Sequence, residues 1–298
     1  MSDLAIIGAG SWGTALAVVL SPRYESVRLW VREPDLAARI AATRINDLYL
    51  DGIELPVNIE PHTSLELALA GASTVLGVMP SRYAHALYSE MLPFLSPSMR
   101  FVSATKGLEQ GTLLRVSEVI QAVIRPKFEP RVAVLSGPTF AKEIARGEPA
   151  AVVISSEDRT LAAEIQREFH GPSFRLYTNS DPIGVEIGAA LKNVIAIAAG
   201  VCQGMGLGNN TSAALITRGL AEITRLAVAM GGQPKTLAGL AGLGDLVLTC
   251  TGGLSRNRTV GIELARGRSV GEIVSSMIMV AEGVDTTSAA VALGQRYS

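Results

Sequence analysis

Short apolar runs alternate with amphipathic stretches over the first 180 residues of the chain. The amphipathic stretches carry helical spacing, for example at 35–43, 81–91 and 159–169. The apolar runs predict strands at 4–7, 27–31, 58–59, 74–78, 101–104, 132–135, 151–154 and 174–177. Because strands alternate with helices, the pattern predicts an α/β fold with a doubly wound, mostly parallel sheet.

The pattern changes at residues 179–182. Beyond this point the β-branched runs largely stop, and Ala, Leu, Ile and Gly take over with helical spacing, as at 213–230 and 260–266. We therefore predict an α/β domain over residues 1–180 and a mostly α-helical domain over residues 181–298. No low-complexity linker separates them, which favours a ligand-binding cleft between the two domains.

A glycine-rich turn follows the first predicted strand and precedes an apolar helix at 14–20. Gly8 permits the tight turn, Gly10 lets a pyrophosphate approach the backbone, and Gly13 lets helix and strand pack closely. The free N–H groups at the helix start favour an anion. In this strand–turn–helix context the G-x-G-x-x-G spacing predicts a Rossmann-type domain that binds NAD or NADP, the alternative being a turn without a ligand.

The second predicted strand ends at Arg32, about 20 residues past the fingerprint, where an acidic residue would select NAD through the ribose 2′-OH. Arg32 can instead accept a 2′-phosphate, and Glu33 follows it directly. The pair favours NADP or use of both cofactors without deciding between them. An ordinary surface arginine is the alternative interpretation.

Lys192 lies in a nearly apolar helix predicted over 183–199, in which Glu186 is the other charged residue. Asp181 and Pro182 are typical of a helix start. A helix that is apolar on nearly all sides is normally buried, and a buried ammonium is costly unless it is paired or its pKa falls. Lys192 is therefore either held in a structural ion pair, with Glu186 among the candidate partners, or retained for proton chemistry.

Lys106 is a second lysine at a position that favours chemistry. It follows the predicted strand 101–104, and ligands bind at the carboxyl ends of strands in open α/β sheets. A positive charge there would lower the pKa of Lys192 further. A solvated lysine at a strand end is the alternative. Histidine is absent from the helical domain, since the chain has only His62, His85 and His170.

Three more segments carry candidate chemistry. Residues 136–141 form another strand-end turn that offers N–H groups to an anion or caps a helix. Asp245 and Thr249 share one helical face, so Asp245 could hold the Lys192 ammonium, hold a substrate hydroxyl or act as an N-cap. Residues 252–258 combine glycines with two guanidiniums, which predicts either a phosphate site or a solvated basic turn. A second phosphate site implies a phosphorylated substrate.

Composition excludes several classes of protein. The chain has 298 residues, a net charge of −1 and no long basic block, which argues against nucleic acid or an anionic membrane as the main partner. It has no run of 18 uncharged apolar residues and no signal peptide before the first strand. Cys202 and Cys250 cannot form a disulfide framework, and no spacing suggests a metal. We expect a reducing, cytoplasmic setting.

Taken together, the motifs resemble the bacterial NAD(P)-dependent glycerol-3-phosphate dehydrogenases. The matching segments occur in order over almost the whole chain, at 8–15, 29–32, 46–50, 104–107, 135–141, 191–193, 242–245 and 255–257. The resemblance implies interconversion of dihydroxyacetone phosphate and sn-glycerol 3-phosphate, which feeds glycerophospholipid synthesis, and it leaves a homodimer as the assembly to test.

The same resemblance implies roles for individual residues. Lys192 is the proton acceptor, and both Lys106 and Arg256 touch cofactor and substrate. Asp245 accompanies them in the catalytic set. The residues implied to line the substrate are Gly137, Thr139, Asp245, Ser255 and Asn257. The residues implied to contact the cofactor are Ser11, Trp12, Arg32, Ala141, Val280 and Glu282.

Two features depart from the family pattern. Thr139 stands where serine is common, a change that keeps the hydroxyl. The chain stops at Ser298, where relatives continue for further helices, so either the C-terminus itself is shortened or the sequence is a piece of a longer chain. Two alternatives remain open: a 3-hydroxyacid or 6-phosphogluconate-type dehydrogenase, and a non-catalytic NADP-sensing regulator. The regulator would not need Lys192, Asp245 and the residues at 255–257 together.

Overall fold

One eight-stranded sheet organises the N-terminal part of the chain. In the computed structural model, which describes residues 3–297, the strand order is β3-β2-β1-β4-β5-β6-β7-β8. The strands are β1 Asp3–Ile7, β2 Val27–Trp30, β3 Ile59–His62, β4 Ala72–Gly77, β5 Arg100–Ser103, β6 Arg131–Ser136, β7 Ala150–Ser155 and β8 Phe174–Asn179. Neighbours pair in parallel except β6 with β7, which pair antiparallel. The mostly parallel sheet predicted from the sequence is confirmed.

Helices cover both faces of this sheet. They are α1 Ser11–Leu20, α2 Pro34–Thr43, α3 Leu65–Leu69, α4 Ala84–Met91, α5 Val116–Ile124, α6 Ala141–Ala145 and α7 Arg159–Phe169. Successive side chains of a strand point to opposite faces. Accordingly Leu4 and Ile6 of β1 belong to one buried cluster, whereas Ala5 and Ile7 belong to the other. Both faces are therefore apolar, as a doubly wound sheet requires.

The predicted boundaries differ from the observed ones where local signals were weak. The segment predicted as a helix at 81–91 begins as a 3₁₀ turn, Ser81–Tyr83, before α4. The strand predicted at 58–59 extends to His62 and contains Pro61. Proline lacks the N–H that a central strand needs. It is tolerated here because β3 lies at the edge of the sheet.

The second part of the described chain is helical and is built around α8. Its helices are α8 Pro182–Gly204, α9 Asn209–Ala229, α10 Pro234–Leu237, α11 Asp245–Thr251, α12 Arg256–Ala265, α13 Val270–Ser276 and α14 Glu282–Arg296, with a π-helical turn at Leu240–Gly244. Asp181 caps α8 by accepting from the Gly184 N–H, as predicted. Helices α9, α11, α12 and α14 all pack against α8.

Helix α8 is long and apolar enough to span a membrane by length and composition. In the structure, however, 67% of its most apolar 18-residue window is buried against the rest of the protein. Burial inside the fold explains the apolar composition, because a core helix needs apolar residues on most of its sides. The composition of α8 therefore provides only weak support for membrane insertion.

One segment of the sheet domain reaches into the helical part. We call it the Lys106 loop, residues 104–115, between β5 and α5. Leu108 of this loop lies in the apolar cluster formed with Ile187 and Leu191 of α8. Leu108 also forms an isolated antiparallel bridge with Arg115, so the loop folds back on itself. The two parts of the protein thus share a core at this point.

Candidate active site

The turn between β1 and α1 has the geometry that the glycine spacing predicts. Gly8 has φ +120°, in the region that favours glycine, and a Cβ there would meet the Val78 carbonyl. A Cβ on Gly13 would clash with the Gly8 carbonyl oxygen, so α1 packs directly against the turn. Gly10 faces open space, with no heavy atom within 4 Å of where a Cβ would lie. The backbone at the start of α1 is therefore accessible to a pyrophosphate.

The residues after this turn meet a segment from the far end of the chain. Ser11 Oγ donates to the sulfur of Met279 at 2.8 Å, and Val280 lies half-buried in the same segment. The Trp12 indole nitrogen is buried and has no hydrogen-bond partner among the described residues. Ala141 begins α6, which packs against α1. No local signal in the sequence predicted the contact between Ser11 and Met279.

Arg32 lies just beyond β2 with its side chain 64% exposed. Its guanidinium forms an ion pair with the neighbouring Glu33 at 2.7 Å. An exposed pair of this kind contributes little stability, typically below about 1 kcal/mol. Little energy would therefore be lost if the guanidinium turned from Glu33 to a ligand phosphate.

Lys192 and Lys106 meet on a single carboxylate. Lys192 Nζ donates to Asp245 Oδ1 at 2.5 Å and to Thr249 Oγ1 at 2.7 Å. Lys106 Nζ donates to Asp245 Oδ2 at 2.8 Å. Asp245 is fully buried, and the side chains of Lys192 and Lys106 are 6% and 15% exposed. Two ammonium groups therefore share one negative charge in a site largely removed from water.

Burial determines the protonation behaviour of this cluster. It is the largest of the effects that lower the pKa of Lys192; the Asp245 charge opposes the shift, the Lys106 charge adds to it, and the resulting pKa is about 7. A group whose pKa is close to the working pH can both accept and donate a proton. The buried lysine that the sequence singled out thus has the electrostatic setting of an acid–base group.

Two predicted alternatives for these residues are wrong. Glu186 is not the partner of Lys192: its carboxylate accepts from Arg115 at 2.7 Å and from Ser117 Oγ at 2.6 Å. Asp245 is not an N-cap, because Gly244 holds that position at the start of α11. The sequence left these options open because Glu186 and Lys192 share a helix, whereas their actual partners come from distant segments.

The strand-end turn at residues 136–141 accepts hydrogen bonds from Lys106. Lys106 Nζ donates to the Gly137 carbonyl at 3.0 Å and to Thr139 Oγ1 at 3.3 Å. The alternative that Ser or Thr caps the next helix is wrong, because Phe140 is the N-cap of α6 and its side chain makes no capping bond. The threonine that replaces the common serine keeps the hydroxyl contact to Lys106.

Some polar side chains of residues 252–258 are used in hydrogen bonds within the protein, and one guanidinium is not. Ser255 caps α12 by accepting from the Arg258 N–H, and Arg258 donates to the Gly252 carbonyl at 3.1 Å. Asn257 donates to Asn193 at 3.0 Å and accepts from the Gly283 N–H at 2.9 Å. The exposed Arg256 has no hydrogen-bond partner within residues 3–297. Arg256 is therefore the guanidinium of this segment that is available to an anion.

Glu282 begins α14 close to Arg256. It accepts from Ser81 Oγ of the sheet domain at 3.2 Å. Burial raises the pKa of this carboxyl to about 7, although the Ser81 hydrogen bond and the Arg256 charge both oppose the shift. Across the described residues, no group of three or more His, Cys, Asp or Glu side chains could hold a metal ion.

The chain matches one protein family over nearly its whole length. The model described as NAD-dependent glycerol-3-phosphate dehydrogenase N-terminus matches residues 3–162, and the C-terminus model of the same family matches residues 181–298. A Koribacter versatilis protein named glycerol-3-phosphate dehydrogenase (NAD(P)+) is 58% identical over 100% of this chain and 89% of its own length. A relative of the same name from Geobacter metallireducens is 53% identical over 96% of this chain and 86% of its own length.

Solved structures are similar as well. The crystal structure of glycerol-3-phosphate dehydrogenase from Coxiella burnetii superposes with a TM-score of 0.95 at 40% identity, covering 99% of this chain and 90% of that one. The enzyme of the same name from Saccharomyces cerevisiae gives a TM-score of 0.82 at 26% identity, with 99% and 90% covered. The similarity extends over both the sheet and the helical part.

Proposed function

The chain belongs to the NAD-dependent glycerol-3-phosphate dehydrogenase family, and from this premise we propose that it interconverts dihydroxyacetone phosphate and sn-glycerol 3-phosphate with NAD(H) or NADP(H). The observation that carries the proposal is the buried Asp245 carboxylate shared by Lys192 and Lys106. Lys106, which contacts this carboxylate, follows the carboxyl end of β5, where open α/β sheets bind ligands.

The β1–α1 turn fits a dinucleotide. Gly10 faces open space and the Trp12 indole N–H lacks a partner in the described chain, so both offer contacts to a ligand. When bound, the nicotinamide supplies or accepts the hydride. The protein's own contribution is to bind, orient and transfer a proton.

Lys192 is the residue that transfers the proton. In oxidation, the hydroxyl proton of glycerol 3-phosphate goes to the neutral Lys192 Nζ; in reduction, the Lys192 ammonium returns a proton to the ketone oxygen. Asp245 and Thr249 hold Nζ in place through bonds of 2.5 and 2.7 Å. Lys106 stabilises negative charge on the reacting oxygen and contacts the 137–139 turn. Gly137, Thr139, Ser255 and Asn257 form the substrate-binding walls.

Initial rates of NADH and NADPH oxidation test this proposal directly. We expect rapid turnover with dihydroxyacetone phosphate and little with unphosphorylated dihydroxyacetone or 3-oxoacids. Activity mainly with 3-oxoacids or a phosphogluconate-type substrate would support the alternative dehydrogenase. Cofactor binding without turnover on any substrate would support a regulator that senses NADP.

Arg256 is proposed to bind the substrate phosphate. Because the Arg256→Ala variant loses a charge-assisted contact of roughly 1.5–3 kcal/mol, the KM for dihydroxyacetone phosphate should rise about ten- to a hundredfold. Steady-state kinetics on the variant check this, with Arg266→Ala as the control, because Arg266 is an exposed arginine at the other end of α12. An unchanged KM would place the phosphate elsewhere.

Arg32 is proposed to bind the 2′-phosphate of NADPH. The Arg32→Ala variant should bind NADPH more weakly by roughly 1–3 kcal/mol and NADH almost unchanged, since NADH has no such phosphate. Titrations followed by the intrinsic fluorescence of Trp12 and Trp30 measure the Kd of the variant for NADPH and for NADH. The matched control is Arg39→Ala, which removes an exposed ion pair with Asp47 from the adjacent helix. An equal loss for both cofactors would mean that Arg32 supports the fold or stacks on the adenine and does not bind the 2′-phosphate.

The setting of the enzyme follows from the same proposal. We place it in the cytoplasm, without stable membrane insertion, where its product would supply glycerophospholipid synthesis. A net charge of −1 and the burial of α8 support this placement. Cell fractionation tests the location. Light scattering on the purified protein tests a homodimer against a monomer.

A further inference from the structure

Glu186 is a buried carboxylate that the proton transfer does not use. Its side chain is 3% exposed and accepts three hydrogen bonds from Arg115 and Ser117, close to the start of α5. Oε1 accepts from the Ser117 N–H at 2.9 Å, while Oε2 accepts from Ser117 Oγ and from Arg115 Nη1 at 2.6 and 2.7 Å. Glu186 and Arg115 thus form an ion pair, and Arg115 forms a second one with Glu118 at 2.9 Å.

These bonds attach the Lys106 loop to α8 at a second point. Arg115 ends the loop, and Lys106 near its other end reaches Lys192 of α8 through Asp245. Glu186 and Lys192 are six residues apart, about 9 Å along the helix axis at 1.5 Å per residue. Between the two attachments Leu108 is buried against α8. The loop is therefore held to the helix that carries Lys192 at both ends and in the middle.

We propose that Glu186 is a positioning residue that, through Arg115 and Ser117, holds the Lys106 loop so that Lys106 stays on the Asp245 carboxylate beside Lys192. The inference rests on the proposed function, because it concerns the placement of the two lysines that function requires. Among the described residues, the hydrogen bonds of Glu186 all come from Arg115 and Ser117 and not from the substrate-binding turn or the β1–α1 turn.

The charges around Lys192 determine what the loss of this anchor would do. The charged groups that act on it are Asp245 and Lys106, and the buried Cys250 thiol lies nearby. Glu186 is not among these groups in the described chain, so it reaches Lys192 only through the loop. If Lys106 moves away, Lys192 loses a neighbouring positive charge and keeps Asp245. Its pKa then rises.

The test is the pH dependence of kcat/KM for glycerol 3-phosphate oxidation in Glu186→Gln and Ser117→Ala. Glu186→Gln keeps the shape and removes the charge, whereas Ser117→Ala removes the hydroxyl that donates to Glu186 and accepts from Arg115, and keeps the ion pair. The matched control is Arg125→Gln, which removes an exposed ion pair with Glu129 at the end of α5. Melting temperatures and the Kd for NADPH are measured on each variant.

We expect the acid limb of Glu186→Gln to move up by about one pH unit, the lower end of the shift that one adjacent charge produces. Its kcat should fall roughly ten- to a hundredfold, the scale for a displacement of about 1 Å. The acid limb of Ser117→Ala should move in the same direction by a smaller amount. The Kd for NADPH should not change in any variant, and the pH profile of Arg125→Gln should match that of the wild type. If Glu186→Gln does not fold, the pH profile of Ser117→Ala alone tests the proposal.

Folded variants that are less stable but keep the wild-type pH profile would overturn the proposal and leave Glu186 a structural residue. Wild-type turnover is measured first. A wild-type protein without activity on these substrates would contradict the proposed function, whereas an active wild type with unshifted variants would contradict the positioning role alone.

Discussion

Replacement of Lys192 by alanine is expected to reduce kcat by a factor on the order of 10² or more, because positioned acid–base groups contribute on that scale. Burial in the Asp245 cluster brings the pKa of this lysine to about 7. Lys106 remains paired with Asp245 in the variant, so a buried counter-charge is preserved. The fold should therefore tolerate the change.

The measurement is single-turnover kinetics together with NADPH titration on Lys192→Ala. Lys142→Ala, which changes an exposed lysine of α6, is the control. Cofactor affinity should stay close to that of the wild type, since no cofactor contact is proposed for Lys192. A kcat near the wild-type value would remove Lys192 from the mechanism.

Replacement of Asp245 by asparagine is expected to have the second largest effect. The amide leaves two largely buried ammonium groups without their counter-charge, and breaking a buried pair typically costs about 3–5 kcal/mol. Asp245 raises the pKa of Lys192, so its loss lowers that pKa. Lys192 then loses its proton at lower pH, which limits the loss of stability above neutrality.

The pH dependence of the free energy of unfolding tests the direction in which Asp245 shifts the pKa of Lys192. Unfolded lysine keeps its proton up to about 10.5, whereas folded Lys192 releases it at about 7. The unfolded state therefore binds more protons between these values, and this term makes stability rise with pH across the window. In Asp245→Asn the rise should begin at lower pH, which urea unfolding at several pH values measures. A rise that begins at the same pH in both proteins would contradict the assignment of Asp245 as the counter-charge.

The two variants near Lys192 are expected to move its pKa in opposite directions. Loss of Asp245 removes a negative charge and lowers the pKa, whereas loosening of the Lys106 loop removes a positive charge and raises it. A general loss of stability would not produce this contrast. The comparison therefore separates electrostatic effects from damage to the fold.

Local patterns in the sequence were sufficient for much of the fold and part of the site. The glycine turn at residues 8–13 is a local motif whose geometry follows from its spacing. The spacing of Asp245 and Thr249 placed both on one helical face, and both contact Lys192. The apolar surroundings of Lys192 already indicated a buried ammonium.

The contacts that the sequence did not reveal join distant segments. Arg115 and Glu186 are 71 residues apart, and Ser11 and Met279 are 268 apart. Periodicity describes a single element, and it carries no information about which face of another element that element meets. For the same reason the sequence offered Glu186 as a candidate partner of Lys192. The partner that Glu186 has in the structure, Arg115, belongs to the loop before α5.

The most direct test of a lysine tuned for proton transfer is the wild-type pH profile of kcat/KM for glycerol 3-phosphate oxidation, which reports the free enzyme. It should rise about tenfold per pH unit below neutrality and level off above a pKa of about 7, the value that burial and Lys106 give to Lys192. Two results would contradict a lysine tuned for proton transfer. One is a profile that is flat apart from the limb of the substrate phosphate near about 6. The other is a profile that rises only near the ordinary lysine pKa of 10.5.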